Sequence, residues 1–173
     1  MKKALIYNMP QSLRDFLTSI ALDHDFEIIE VDNSYLSTRV EDILSKKDPV
    51  ENSEEEVDIN FLLLDGFDNE ALSALLETMK ENRIYIPNKC VSTPNNLGWP
   101  LKKLLLENKE ENEIMSAYRN LSILQRQAIG YLKENENSAL EEAVIDVDAY
   151  IKKRDLKTAE LIELADRLRC LLK

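Results

Sequence analysis

Asp65 closes an apolar run, Phe61-Leu62-Leu63-Leu64, and a carboxylate at the end of a buried strand is a position that can accept a phosphoryl group. That chemistry also takes acids after the first strand, to hold a magnesium ion, and a lysine after the last strand. Here the first apolar run ends Tyr7-Asn8, and Lys89 precedes its run instead of following it. Phosphotransfer at Asp65 is therefore not expected. Cys90 is the next candidate, as a nucleophile. A reactive thiol wants a cationic neighbour or a helix N-terminus. Lys89 is adjacent, but neighbours on a strand point to opposite faces. Cys90 and Cys170 are 80 positions apart without a Cys-x-x-Cys motif, and both read as free, buried thiols. His24 is the single histidine, which leaves no His-rich metal site.

The remaining candidates are polar residues at the ends of apolar runs: Asn8-Met9, Asp32-Asn33, Asp65-Gly66 and Thr93-Pro94-Asn95-Asn96. In an open parallel sheet, ligands sit beyond the carboxyl ends of the strands. A parallel arrangement would bring these ends to one edge, with Trp99 beside them. The candidate ligand-binding residues are then Asn8, Asp65, Gly66, Thr93, Asn95, Asn96 and Trp99. The competing reading is that Asp, Asn, Gly and Pro are turn formers and stand there for that reason alone. Trp99, between Gly98 and Pro100, equally reads as a plug seating a helix start. No catalytic residue, metal or cofactor is assigned.

The elements that must position these residues alternate in period. Ala4-Leu5-Ile6-Tyr7, Glu27-Ile28-Ile29-Glu30-Val31 and Ile59–Leu64 read as strands, followed by Ile84-Tyr85-Ile86 and Cys90-Val91-Ser92-Thr93. Between them, Leu13, Phe16, Leu17 and Ile20, and then Ala71, Leu72, Leu75, Leu76 and Met79, recur at helical spacing. Helix starts are expected at Ser12, Thr38 and Ser138, each with an acid three residues on, and at Asp68 and Asp155. Pro100 opens a helix bearing Leu101, Leu104 and Leu105. This predicts an α/β fold over residues 1–107, with a small, mostly parallel sheet of four or five strands flanked by helices. Its layout resembles a receiver or flavodoxin. Glu107–Glu113 is a charged bridge, either helix or linker. Residues 111–173 follow as a helical region of three helices, the last two a hairpin turning near Arg154-Asp155.

The chain has 173 residues, 22 basic and 33 acidic, for a net charge of −11. Nucleic-acid binding relies on Lys and Arg neutralising phosphates, and the basic residues here come in short runs flanked by acids. No nucleic-acid partner is expected. The three glycines leave no room for a phosphate-cradling glycine loop. The apolar stretch behind Lys2-Lys3 is shorter than the roughly 7–15 residues of a secretory signal, and no run reaches the ~18 needed to span a bilayer. The expectation is a cytoplasmic protein without a membrane partner. Asp48–Asp58, with Pro49 and Glu54-Glu55-Glu56, is a solvated acidic loop and the stretch expected to be mobile.

From Phe61 to about Leu106 the pattern is specific: a strand ending Asp65-Gly66-Phe67, a helix, then Ile84-x-Ile86-Pro87-x-Lys89-x-Val91-x-Thr93-Pro94-x-Asn96-x-x-Trp99. It resembles an uncharacterised bacterial family, the domain of unknown function numbered thirty-seven eighty-three. The resemblance implies a small bacterial cytosolic protein and implies no activity. With the chemistry above, it points to a non-enzymatic regulatory or protein-interaction module on a degenerate receiver-like scaffold. Its partner would be a protein, or a second copy through the C-terminal helices, whose apolar stripes need covering. The alternative is a small-molecule-binding protein or enzyme with its site at the strand carboxyl ends.

Overall fold

The computed structural model describes residues 1–50 and 55–173. Residues 51–54, in the acidic stretch expected to be mobile, lie outside the described residues. The elements run β1 (Lys2–Tyr7), α1 (Gln11–Ala21), β2 (Phe26–Val31), a 3-10 turn (Asn33–Tyr35), α2 (Val40–Leu44), β3 (Phe61–Asp65), α3 (Asn69–Glu81), β4 (Asn88–Val91), α4 (Leu101–Leu132), α5 (Ser138–Ile151) and α6 (Thr158–Leu171). The chain divides into two compact units, Met1–Lys109 and Glu110–Lys173.

The first unit is α/β. Its four strands form one mixed sheet in the order β2-β1-β3-β4. Two of the three pairings, β1 with β2 and β3 with β4, are parallel. The central pairing, β1 with β3, is antiparallel, with Tyr7 opposite Phe61 and Lys3 opposite Asp65. Two β-α-β units thus lie side by side with opposite sense. Side chains alternate as a strand's period of two demands. Leu5, Tyr7, Phe61 and Leu63 pack with Val40, Ile43, Leu101, Leu104 and Leu105 on one face. Ala4, Ile6, Leu62 and Leu64 pack with Leu17, Ile20, Leu75 and Met79 on the other. Both faces are covered, which is why β1 and β3 read as unbroken apolar runs.

The path after β2 sets the reversed sense of β3. At the end of α2 the chain is near the amino ends of the first two strands, where Lys3 Nζ donates to the Leu44 carbonyl at 2.6 Å and Lys46 pairs with Glu27. A parallel β3 would begin there. The polar stretch after Leu44 has no strand pattern. By Val57 the chain is at the other end, with the Val57 carbonyl 3.0 Å from the Tyr7 hydroxyl. β3 then enters from the carboxyl end of β1.

Several local expectations change for identifiable reasons. Ile84-Tyr85-Ile86 is not a strand. The Ile84 and Arg83 amides turn back to the Met79 and Lys80 carbonyls and close α3, and Pro87 has no amide to offer a ladder. Of the expected helix starts, Asp68 caps as read, accepting from the Ala71 amide at 2.8 Å. Thr38 instead accepts from the Val50 amide at 2.9 Å, and the residue before α2 is Arg39. Asn137, not Ser138, caps α5, and the residues before α1 and α6 are Pro10 and Lys157, without side-chain caps. Glu107–Glu113 is helical within α4. Its glutamates and lysine are good helix formers, and the stretch holds no glycine or proline.

The second unit buries its own core. Leu121, Leu124 and Ala128 of α4 meet Leu140, Ala143, Val147 and Tyr150 of α5 and Leu161, Ala165 and Leu168 of α6. The Tyr150 hydroxyl accepts from the Lys157 amide at 2.8 Å and closes the α5–α6 turn. Cys170, expected to be buried, is exposed. It lies two residues past Leu168, about 200° around the helix from that buried position. Among the described residues, no helix is long and apolar enough to cross a membrane.

Candidate functional site

The antiparallel centre of the sheet splits the sequence-predicted site in two. Asn8 follows β1 at one end of the sheet. Asp65 and Gly66 follow β3 at the other, beside Lys3 in the register. The run from Lys3 to Tyr7 separates the two ends by about 14 Å at the usual rise per residue. Thr93, Asn95, Asn96 and Trp99 follow β4, which is parallel to β3, so they share the Asp65 end. The expected convergence on one edge is thus corrected: Asn8 and Asp32 stand at one end, Asp65 and Asn96 at the other.

At the Asp65 end the polar groups bind one another. Ser92 Oγ donates to Asp65 Oδ1 at 2.6 Å. The Thr93 amide donates to Asn96 Oδ1 at 2.7 Å, and the Asn96 amide returns to Thr93 Oγ1 at 3.2 Å. Asn96 Nδ2 donates to the Val91 carbonyl at 3.1 Å, and Asn96 is buried. Gly66 has a φ of +73°, and a Cβ there would come to 3.3 Å from the Met1 carbonyl oxygen. Asn95 is exposed. Trp99 is half-buried against the α2-side core, with Lys103 Nζ 4.2 Å from its ring centroid. Its carbonyl accepts from the Val40 amide at 3.0 Å, and the Leu101 amide donates to the Thr38 carbonyl at 2.9 Å. The segment from Ser92 to Leu101 is a turn that seats the start of α4.

Asn96 has a counterpart the sequence did not single out. The Ser92 amide bonds the Leu64 carbonyl. By the alternation of a parallel ladder, the carbonyls of Lys89 and Val91 therefore face away from β3. Asn96 Nδ2 takes the Val91 carbonyl. Asn108 Nδ2, on α4, reaches the Lys89 carbonyl at 3.4 Å. Both side chains are largely buried. Two asparagine amides thus close the outer edge of β4, where an uncovered edge would invite another strand. Asn108 lies within a charged helical run, and nothing in its local pattern marks it.

The other end holds a cleft of about 220 Å³ beyond the carboxyl ends of β1 and β2. Tyr7, Asn8, Arg14, Glu30, Asp32, Asn33 and Glu56 line it. Asn8 turns the chain there with a φ of +49°, a conformation asparagine tolerates better than most residues. Tyr7 is almost fully buried. Its hydroxyl lies 2.6 Å from Asn33 Oδ1 and accepts from the Val57 amide at 3.3 Å. Burial pushes the phenol above its ordinary value. The Val57 backbone bond opposes this, and the charges of Glu56, Asp32 and Asp58 add to it. Asp32 accepts from the Ser34 hydroxyl and amide, which hold its carboxyl below the usual range. Arg14 pairs with Glu30, while its Nε is buried without a hydrogen-bond partner among the described residues. Such a lining suits hydrogen bonding to a small polar molecule. Among the described residues, no group of three or more His, Cys, Asp or Glu side chains is placed to hold a metal ion.

Residues 60–115 match the family model of a Domain of unknown function (DUF3783). The matched segment takes in β3, α3, β4 and the first part of α4. It therefore contains Asp65, the Thr93–Asn96 turn, Trp99 and both edge-closing asparagines. The cleft beyond β1 and β2 lies outside it. Comparisons with curated proteins and with solved structures find no match.

Tyr7→Phe is expected to destabilise the α/β unit by about 1–3 kcal/mol, since the buried Val57 amide and the partly buried Asn33 Oδ1 both lose a partner. Urea denaturation followed by fluorescence measures it.

Proposed function

We propose that this chain is a non-enzymatic protein-interaction module, acting in the cytoplasm of a bacterium, which associates with a second copy of itself through the helical unit. One observation carries the first part of this reading: most of the polar side chains at the strand ends are engaged with each other or with the backbone. Asp65 is held by Ser92, Asn96 by Thr93 and Val91, Asp32 by Ser34 and Arg14 by Glu30. Groups tied this way brace turns. On this reading the scaffold keeps the strand order β2-β1-β3-β4 of a receiver-like or flavodoxin-like sheet, with its second half reversed. The net charge of −11 favours a protein partner over a nucleic acid.

The second part rests on what the helical core leaves outside. Met115, Ile123, Ile129, Ile145 and Ile162 stay exposed after the three helices have packed. Light scattering behind size exclusion on the full chain should give a mass above the monomer. Ile145→Glu with Ile162→Glu should return it to the monomer. A full chain that is monomeric at high micromolar concentration would remove self-association from this reading.

The cleft beyond β1 and β2 favours a second reading, a small polar ligand at that end. A metabolite panel screened by thermal shift tests it. A stabilising hit that is lost in Asn33→Ala supports the ligand, and a panel without hits counts against it.

A further inference from the structure

A groove of about 340 Å³ lies beside β4, between the last turn of α3 and the connection that follows it. Met79 and Ile86 form its buried floor, and Leu76, Ile84 and Tyr85 its apolar walls. Tyr85 is 67% exposed, a large aromatic surface left in water. The charged residues lining the groove are Lys80, Arg83 and Lys89. All three are cations, on a chain whose net charge is −11. Lys80 pairs with Glu77 at 3.3 Å. Lys89 Nζ donates to the Ile86 carbonyl at 2.9 Å and stands 5.3 Å from the Tyr85 ring centroid. Arg83 sits just past the end of α3 with a φ of +57°, where a glycine would ordinarily close the helix.

From this charge complementarity we propose that the groove docks an acidic peptide segment of a partner protein, with one or two large apolar side chains entering between Leu76 and Tyr85. The edge carbonyls of β4 are already taken by Asn96 and Asn108. The peptide therefore docks through its side chains and charges and does not add a strand. A site this small belongs to the weak, transient class of contacts. It lies wholly in the α/β unit, so a monomeric result in the association test leaves it standing.

The test uses the full chain and a fluorescein-labelled octapeptide of glutamates flanking a central Leu-Phe pair, read by fluorescence anisotropy. Saturable binding is expected, weakened by added salt as charge pairing requires. Arg83→Gly removes the guanidinium while suiting the left-handed backbone, so the fold is kept. It should weaken binding about threefold, and Arg83→Gly with Lys80→Gln about tenfold. The same peptide with glutamines for glutamates, or with Ser-Ser for Leu-Phe, should bind weakly or not at all. The proposal is overturned if the wild-type chain shows no saturable rise, if Arg83→Gly binds as well as wild type, or if the glutamine peptide binds equally. Self-association that Arg83→Gly abolishes, without peptide binding, would assign the groove to a second copy and overturn it too.

Discussion

Phe61→Ala is expected to cost the α/β unit about 3–5 kcal/mol, the usual range for emptying a fully buried aromatic position. Phe61 has no exposed surface and packs with Leu5, Tyr7, Val40 and Leu101. It also stands opposite Tyr7 at the antiparallel junction of the two β-α-β units. The cavity would open where β1 and β3 meet. Trp99, the only tryptophan, packs against the same cluster, so its fluorescence reports this unit directly. Urea titration should show the Trp99 transition moving to much lower denaturant. A loss below about 1 kcal/mol would mean that the neighbours collapse into the space and that the junction is not tightly packed.

Asn96→Ala is expected to cost about 1–3 kcal/mol, although asparagine at a strand end invites a binding role. Its side chain accepts from the Thr93 amide and donates to the Val91 carbonyl, and both lose their partner in the variant. Both bonds are partly buried, so each loss falls toward the low end of the about 1–3 kcal/mol that an unpaired buried group costs. Thr93→Ala removes only the 3.2 Å bond from the Asn96 amide and should cost about 0.5–1.5 kcal/mol. The same urea titration compares the two. If Asn96→Ala leaves the midpoint unchanged, the side chain does not brace this turn, and Asn96 returns as a candidate for ligand binding.

Most elements were legible because burial imposes a period that the residues carry locally. Leu17 and Ile20, and Leu75 and Met79, mark one side of their helices, and they do line one face of the sheet. Asp68 was read as a cap from its type and position, and its carboxylate does accept the Ala71 amide. Features that depend on distant partners were not legible. Asn108 closes a strand edge 19 positions away in sequence. Thr38 looked like a cap, but the chain folds Val50 onto its hydroxyl. Ile84 and Ile86 have the spacing of a strand, but the Ile84 amide closes a helix and the two side chains form a wall and the floor of a groove.

Composition and apolar spacing alone determined that this is an α/β unit followed by helices, and most of the side chains that turn inward, though not Leu76 or Cys170, which are exposed. Only the tertiary structure decided the direction of β3, and with it which strand ends meet. An alternation of buried residues is the same read forwards or backwards, so it assigns faces to a strand and says nothing of its sense. The sense depends on where the chain stands after Leu44, and the contacts that settle it, Lys3 with Leu44 and Tyr7 with Val57, join residues about 40 to 50 positions apart.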